Sequence, residues 1–222
     1  MIVTDDQRKS TEPADEPRAP AVSFITTEHF TLQGARSSTI AESTGRASMF
    51  LASVSGGLVA WGLVATATGA GGGFFAFGLV LLPTLAFVGL VTFERTLQSG
   101  IEDLSYARRI ARLRAYYFDN SPELAPYLLS VEPEKRLRVQ GLRGGYFQGF
   151  RTIAGMVGVI TAVLAGAEAG LALAAAFDVP AAALASGCVV AIGALIALMR
   201  FQRSTWAGAA TEPITEGEAV TG

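Results

Sequence analysis

The chain has 222 residues, 50% of them hydrophobic and only 16% charged, with a net charge of −2 and a mean hydropathy of +0.41. A soluble domain carries about 25% charged residues, so these values exclude an ordinary water-soluble globule, and they are too apolar for a wholly disordered chain. One cysteine (Cys188), one histidine (His29) and a sequence pI near 5.5 exclude an intrachain disulfide framework, a His- or Cys-rich metal cluster and a global basic surface for nucleic acid.

Residues 1–27 are polar and contain Pro13, Pro17 and Pro20, which predicts a disordered segment without the apolar stretch of a signal peptide. Residues 28–46 predict a helical lead-in whose large apolar residues are Phe30, Leu32 and Ile40. From Ala47 to Phe93 there is no charged residue, a run of 47 positions. One helix of that length would be about 70 Å long, twice the hydrocarbon core of a bilayer, so the run must fold back. Gly69, Gly71, Gly72 and Gly73 mark the turn, because glycine is poor in a helix and cheap in a turn. Two spans follow, about 48–68 and 74–93, the second with a kink at Pro83.

Residues 94–151 predict a cytoplasmic helical segment. Leu97, Ile101, Leu104, Ala107 and Ala111 recur at three-four spacing, so span two continues as an amphipathic helix to Phe118, with Arg108, Arg109 and Arg112 on its other side. Ser121-Pro122-Glu123 and Pro133 predict two further helix starts, and Gly141, Gly144 and Gly145 a break. Residues 152–199 form the second apolar block, interrupted by Glu168 and by Phe177-Asp178-Val179-Pro180, which predicts spans at 152–176 and 181–199. Residues 200–222 predict a disordered tail. The fold class is an all-α integral membrane protein: four transmembrane helices in two hairpins, 47–93 and 152–199, joined by the segment 94–151.

All 17 Lys and Arg residues lie in the N-terminal segment, the central segment or the C-terminal end, and none lies in the two short turns. The positive-inside rule then places both termini and the central segment in the cytoplasm of a bacterial inner membrane. Tyr146, Phe147, Phe150 and Trp206 at the inner side, with Phe74 and Phe75 at the outer, fit an interfacial aromatic belt.

Small residues recur every fourth position along span three (Gly158, Ala162, Gly166, Gly170) and along span one (Ser48, Ala52, Gly56, Ala60), with Ala183, Gly187 and Ala191 on span four. Such ridges allow close backbone approach, within the bundle or between copies in a homo-oligomer. Glu168 is the one carboxylate within a span, and Thr161, seven residues earlier, shares its face. It marks an ion or proton path, or it reaches the outer interface if span three tilts; both readings are open. Segment 94–151 carries net charge +3. Positive-inside bias is the favoured account of that charge. An anion site for a nucleotide or lipid headgroup, at Arg108, Arg109 and Arg112, is the alternative. No phosphate-binding glycine loop, nucleophile elbow or metal motif is present, so neither a cofactor nor an enzymatic activity is expected.

The stretches Glu28-His-Phe-Thr-Leu-Gln-Gly-Ala-Arg36, Gly45-Arg-Ala-Ser-Met-Phe-Leu-Ala-Ser-Val-Ser-Gly56 and Gly78-Leu-Val-Leu-Leu-Pro-Thr-Leu85 resemble those of an uncharacterised actinobacterial-type family of four-span integral membrane proteins. The layout is also similar, in architecture alone, to bacterial membrane effectors of nucleotide-signalled phage defence, a likeness that implies membrane disruption on activation and transfers no site residue. The expected function is a small oligomeric pore-forming or membrane-perturbing protein controlled by its cytoplasmic segment. The alternative is a non-conducting scaffold recruiting a cytoplasmic partner through the amphipathic helix, Leu104 and Ile110 included. The expected partners are the lipid bilayer, a second copy, and a cytoplasmic protein or small anionic ligand.

Overall fold

The computed structural model describes residues 19–69, 71–120, 152–177 and 179–211. Among these, four helices follow in order: α1 (Ala19–Thr68), α2 (Gly72–Asn120), α3 (Ile153–Ala176) and α4 (Pro180–Thr211). All four are long and apolar enough to cross a membrane. The helix starts expected at Ser121 and Pro133, the glycine break, Tyr146, Phe147, Phe150 and Asp178 lie outside the described residues.

The turns fall where backbone chemistry demands them. α1 ends at Thr68, and Gly69 adopts φ 64°, a left-handed conformation that costs a glycine nothing. Thr152 caps α3 by accepting from the Gly155 N–H, and its hydroxyl also accepts from Gln202 Nε2 on α4. Pro180 opens α4, in the first turn, where its missing N–H is no loss. Pro83 sits inside α2, which continues through it.

Two boundaries differ from the sequence reading. α1 starts at Ala19, inside the stretch 1–27 expected to be disordered, and α4 continues past residue 199 to Thr211. Long-range packing holds the α4 extension. The ring of Trp206 lies over Gly100 of α2, and Arg108 donates to the Ala209 carbonyl near the end of α4.

Consecutive helices are neighbours, in the order α1–α2–α3–α4, and α1 touches α3, and α2 touches α4, only slightly. Among the described residues Phe50, Phe93, Leu82 and Leu97 are the largest fully buried side chains, and Val157, Leu164 and Met199 belong to the same core. α1 and α2 are antiparallel in one unslipped register. Arg36 pairs with Asp103, Phe50 lies against Gly89 and Trp61 against Gly78, so fourteen and then eleven residues are counted off on both helices.

Gly78 and Gly89 are where α2 is squeezed from two sides. A Cβ at Gly78 would lie 2.6 Å from Leu171 of α3 and 2.8 Å from Trp61 of α1, and one at Gly89 would meet Thr161 of α3 and Phe50 of α1. At the other boundary of the apolar block, Phe93 and Met199 both abut Gly158. They immediately precede Glu94 and Arg200, so the charges on α2 and α4 begin at one common level. Beyond that level α1, α2 and the end of α4 continue as a helical stalk. α1 from Ser23 to Ala47 rises about 37 Å at 1.5 Å per residue. Leu32, Leu97, Leu104 and Ile110 are buried along it.

Candidate functional site

Among the described residues, three regions hold side chains with chemistry to offer. The first is the stalk. Arg36 Nε and a terminal guanidinium nitrogen donate to the two carboxylate oxygens of Asp103 at 2.6 and 3.2 Å, a bidentate pair with both side chains largely covered. The pair ties α1 to α2 in a seam that also holds Ser43 and Thr96, both buried. His29, two turns nearer the tip than Arg36, accepts from the Gln33 amide at Nε2 over 2.8 Å, which puts the neutral ring's proton on Nδ1. That Nδ1 is buried without a hydrogen-bond partner. Desolvation first, and the Arg114 guanidinium second, hold His29 below its ordinary pKa, so the ring is neutral at neutral pH.

The structure divides the expected basic trio. Arg108 is half-buried and donates to the Ala209 carbonyl, a helix-capping role, while Arg109 and Arg112 stand exposed. Leu104 and Ile110, expected to face a cytoplasmic partner, are 5% exposed and belong to the stalk's own interior. The stripe they sit on is covered by the chain itself, so it is not a free docking surface.

The second region surrounds Glu168. Its expected companion Thr161 is buried against Gly89, and its hydroxyl is spent on the Val157 carbonyl one turn back. Leu164, one turn before Glu168, is buried, and Leu171, three residues after it, reaches Gly78. Glu168 therefore lies on the α2-facing side of α3, half-buried, and among the described residues it makes no hydrogen bond or ion pair. The structure shows no polar contact between it and Thr161.

The third region is a groove of about 520 Å³ running over α3 between α1 and α4. It exists because α1 and α4 do not close against each other. Trp61 forms one wall and Leu184 and Cys188 the other, over a floor at Gly166 and Gly170. Trp61 donates from Nε1 to the Phe74 carbonyl at 3.1 Å and stacks on the Phe74 ring at 4.8 Å, so the turn end of the α1–α2 pair is closed by one aromatic clamp. The sequence reading missed Trp61. Its signal was a lone Trp thirteen residues before Phe74, across the glycine turn.

The floor is the small-residue ridge. A Cβ at Gly166 would lie 2.5 Å from the Gly187 carbonyl and 2.6 Å from Ala191 Cβ; one at Gly170 would lie 3.0 Å from the Ala183 carbonyl. Gly166 and Gly170 thus set the α3–α4 crossing, while Ala162 is buried and Gly158 serves the junction with Phe93 and Met199. The ridge on α1 behaves differently: Ser48, Ala52 and Gly56 are exposed, and a Cβ at Gly56 would meet nothing within 4 Å. Cys188 is exposed on the groove wall rather than packed in the interior. Among the described residues no three His, Cys, Asp or Glu side chains come together as a metal site would need. Comparison with known protein families, with curated proteins and with solved structures finds no match for this chain.

Proposed function

We propose that this protein is a multi-pass protein of a bacterial cell membrane that acts as a scaffold, holding a rigid helical stalk on the cytoplasmic side. The observation that carries the reading is the continuity of α1 and α2, which run unbroken from the apolar spans into the stalk and stay locked there by Arg36 and Asp103. The absence of Lys and Arg from both turns supports the cytoplasmic placement of the stalk and both termini. The apolar interior at Phe50, Leu82, Phe93 and Leu164 argues against an ion path within one copy. The exposed guanidinium groups of Arg109 and Arg112 are the chemistry the stalk offers to an acidic protein partner.

The test has two arms. Purified protein in liposomes is expected to leave the vesicles tight to ions. A photo-crosslinking residue at Arg109 or Arg112 in living cells is expected to give a discrete adduct that the same residue at lipid-facing Val189 does not. Conductance in the first arm, or indistinguishable adducts in the second, overturns the scaffold reading.

A second reading, an ion-conducting protein, is favoured by Glu168, a half-buried carboxylate on the α2-facing side of α3 without a polar partner among the described residues. It requires ion flux that changes in Glu168→Ala, and tight vesicles under all conditions refute it.

A further inference from the structure

α1 has two faces that repeat every seven residues, and among the described residues only one of them packs against another helix. Arg36, Ser43, Phe50 and Gly57 follow this interval on the side of α2. On the opposite side Thr31, Ser38, Gly45, Ala52, Val59 and Thr66 follow it too. Interleaved with them, a second series from Thr27 to Gly62 is again Thr, Gly, Ala, Ser, Ser and Gly. Every position of the two series is exposed except Gly45, which is half-buried. Together they form the a and d positions of six heptads, none larger than valine.

We infer that this face is the surface on which two copies of the chain pair, α1 against α1 in parallel. The stripe keeps its composition where its surroundings change. From Thr27 to Gly45 it lies on the stalk, where a water-facing helix face carries charge; from Ser48 to Thr66 it lies in an apolar span, where lipid favours large apolar side chains. It has neither. The stalk charges Glu28, Glu42 and Arg46 stand at its flanks. Lipid-type surface of large side chains lies beside the stripe and on other helices, as at Val80 and Phe87 of α2 and at Leu184, Val189, Ile192 and Ile196 of α4, which are 54–73% exposed. A stripe unchanged across both media faces the same thing in both, which is protein.

A second copy is the occupant that fits. The inference rests on the membrane reading, because two copies inserted the same way present α1 in parallel, and parallel pairing sets each seven-residue series against itself along the whole length. The flanking pairs this imposes put Glu28 against Ser23 and Glu42 against Ser37, with no like charges opposed. The area suffices. The seam is about 60 Å long, and Phe30, Met49, Leu51, Leu58 and Leu63 beside it are 41–73% exposed. Covering them on both copies removes on the order of 1,200 Å², the lower bound of a standard specific interface.

The test is oxidative crosslinking of the full chain in liposomes at low protein density, in a Cys188→Ser background. Ser38→Cys, Ser48→Cys and Ser55→Cys are expected to form covalent dimers, whereas Gln33→Cys and Ser53→Cys, exposed but off the stripe, are not. Gly45→Leu with Ala52→Leu is expected to weaken dimerisation, read by energy transfer between labelled copies, at least about tenfold, while circular dichroism stays helical. Equal crosslinking on and off the stripe, or no dimer at any site, overturns the inference. Alkaline carbonate extraction of the same samples separates the two failures: protein that leaves the membrane fraction refutes the membrane reading, and protein that stays but does not pair refutes the α1 interface alone.

Discussion

Gly166→Ala is expected to loosen the α3–α4 crossing. The added methyl would lie 2.5 Å from the Gly187 carbonyl oxygen and 3.1 Å from the Ala191 amide nitrogen. Those are backbone atoms of a helix, which cannot move aside as the end of a side chain can. Overpacking costs about 1–3 kcal/mol, and rigid neighbours place this case in the upper part of that range. Alanine's better helix propensity returns about 1 kcal/mol. The net expectation is a loss of about 1–2 kcal/mol, roughly a tenfold fall in the folding equilibrium constant. Gly193→Ala is the control, because a Cβ there meets nothing within 4 Å and only the propensity gain remains. The measurement is reversible SDS titration in mixed micelles followed by far-ultraviolet circular dichroism. Gly166→Ala must unfold at lower SDS than wild type, and Gly193→Ala at the same SDS or higher. If Gly166→Ala matches Gly193→Ala, α3 and α4 do not meet backbone to backbone at Gly166.

Other consequences can be checked with the same protein. In the Arg36–Asp103 pair, Arg36→Ala and Asp103→Ala should each destabilise the stalk, and a double-mutant cycle should return a coupling of about 1–3 kcal/mol, since both side chains are largely covered and the pair is bidentate; hydrogen exchange at stalk amides reads it. His29 gives the stalk a pH dependence. Its folded pKa lies below the ordinary 6.5, so the folded state binds fewer protons, and stability is full above pH 6.5 and declines as pH falls from 6.5 toward the folded value. Lower protection factors around His29 at pH 5.5 than at pH 7.5, after each exchange rate is divided by its pH-dependent intrinsic rate, and no such drop in His29→Gln, are the expected result; no difference between the two proteins removes His29 as the cause. Trp61→Phe keeps the ring stack on Phe74 and loses the bond to its carbonyl, so it should cost about 1 kcal/mol in the same SDS titration.

The turns were legible because they are made of residues with one backbone purpose. The glycines from Gly69 end α1, and Pro180 opens α4. The helix beyond Glu94 was legible from its three-four spacing, but spacing names a face and not what covers it. That is why Leu104 and Ile110 read as an outward stripe and are interior, and why the α1 ridge at Ser48, Ala52 and Gly56 reads like the α3 ridge yet is exposed, with no partner among the described residues. The starts and ends of the stalk were the least legible. Residues 19–27 and 200–211 are polar or mixed in composition, and α4 keeps its helix there through contacts a hundred residues away in sequence, Trp206 with Gly100 and Arg108 with Ala209. Arg108 could not be told from Arg109 and Arg112 for the same reason.

The unslipped count along α1 and α2 makes the stalk's azimuth a property of chain length. Arg36 and Phe50 are joined by continuous helix, and so are Asp103 and Gly89. One residue inserted between Arg36 and Phe50 would turn everything beyond it by about 100°. Asp103 would then face the wrong side of α1, and the stalk would have to break its helix or its pairing. An insertion of seven or eleven residues brings the face back to within about 20°, and keeps the pair only if α2 gains the same number between Gly89 and Asp103. Length in this part of the molecule is therefore quantised, and the stalk can change height only in steps that preserve its phase.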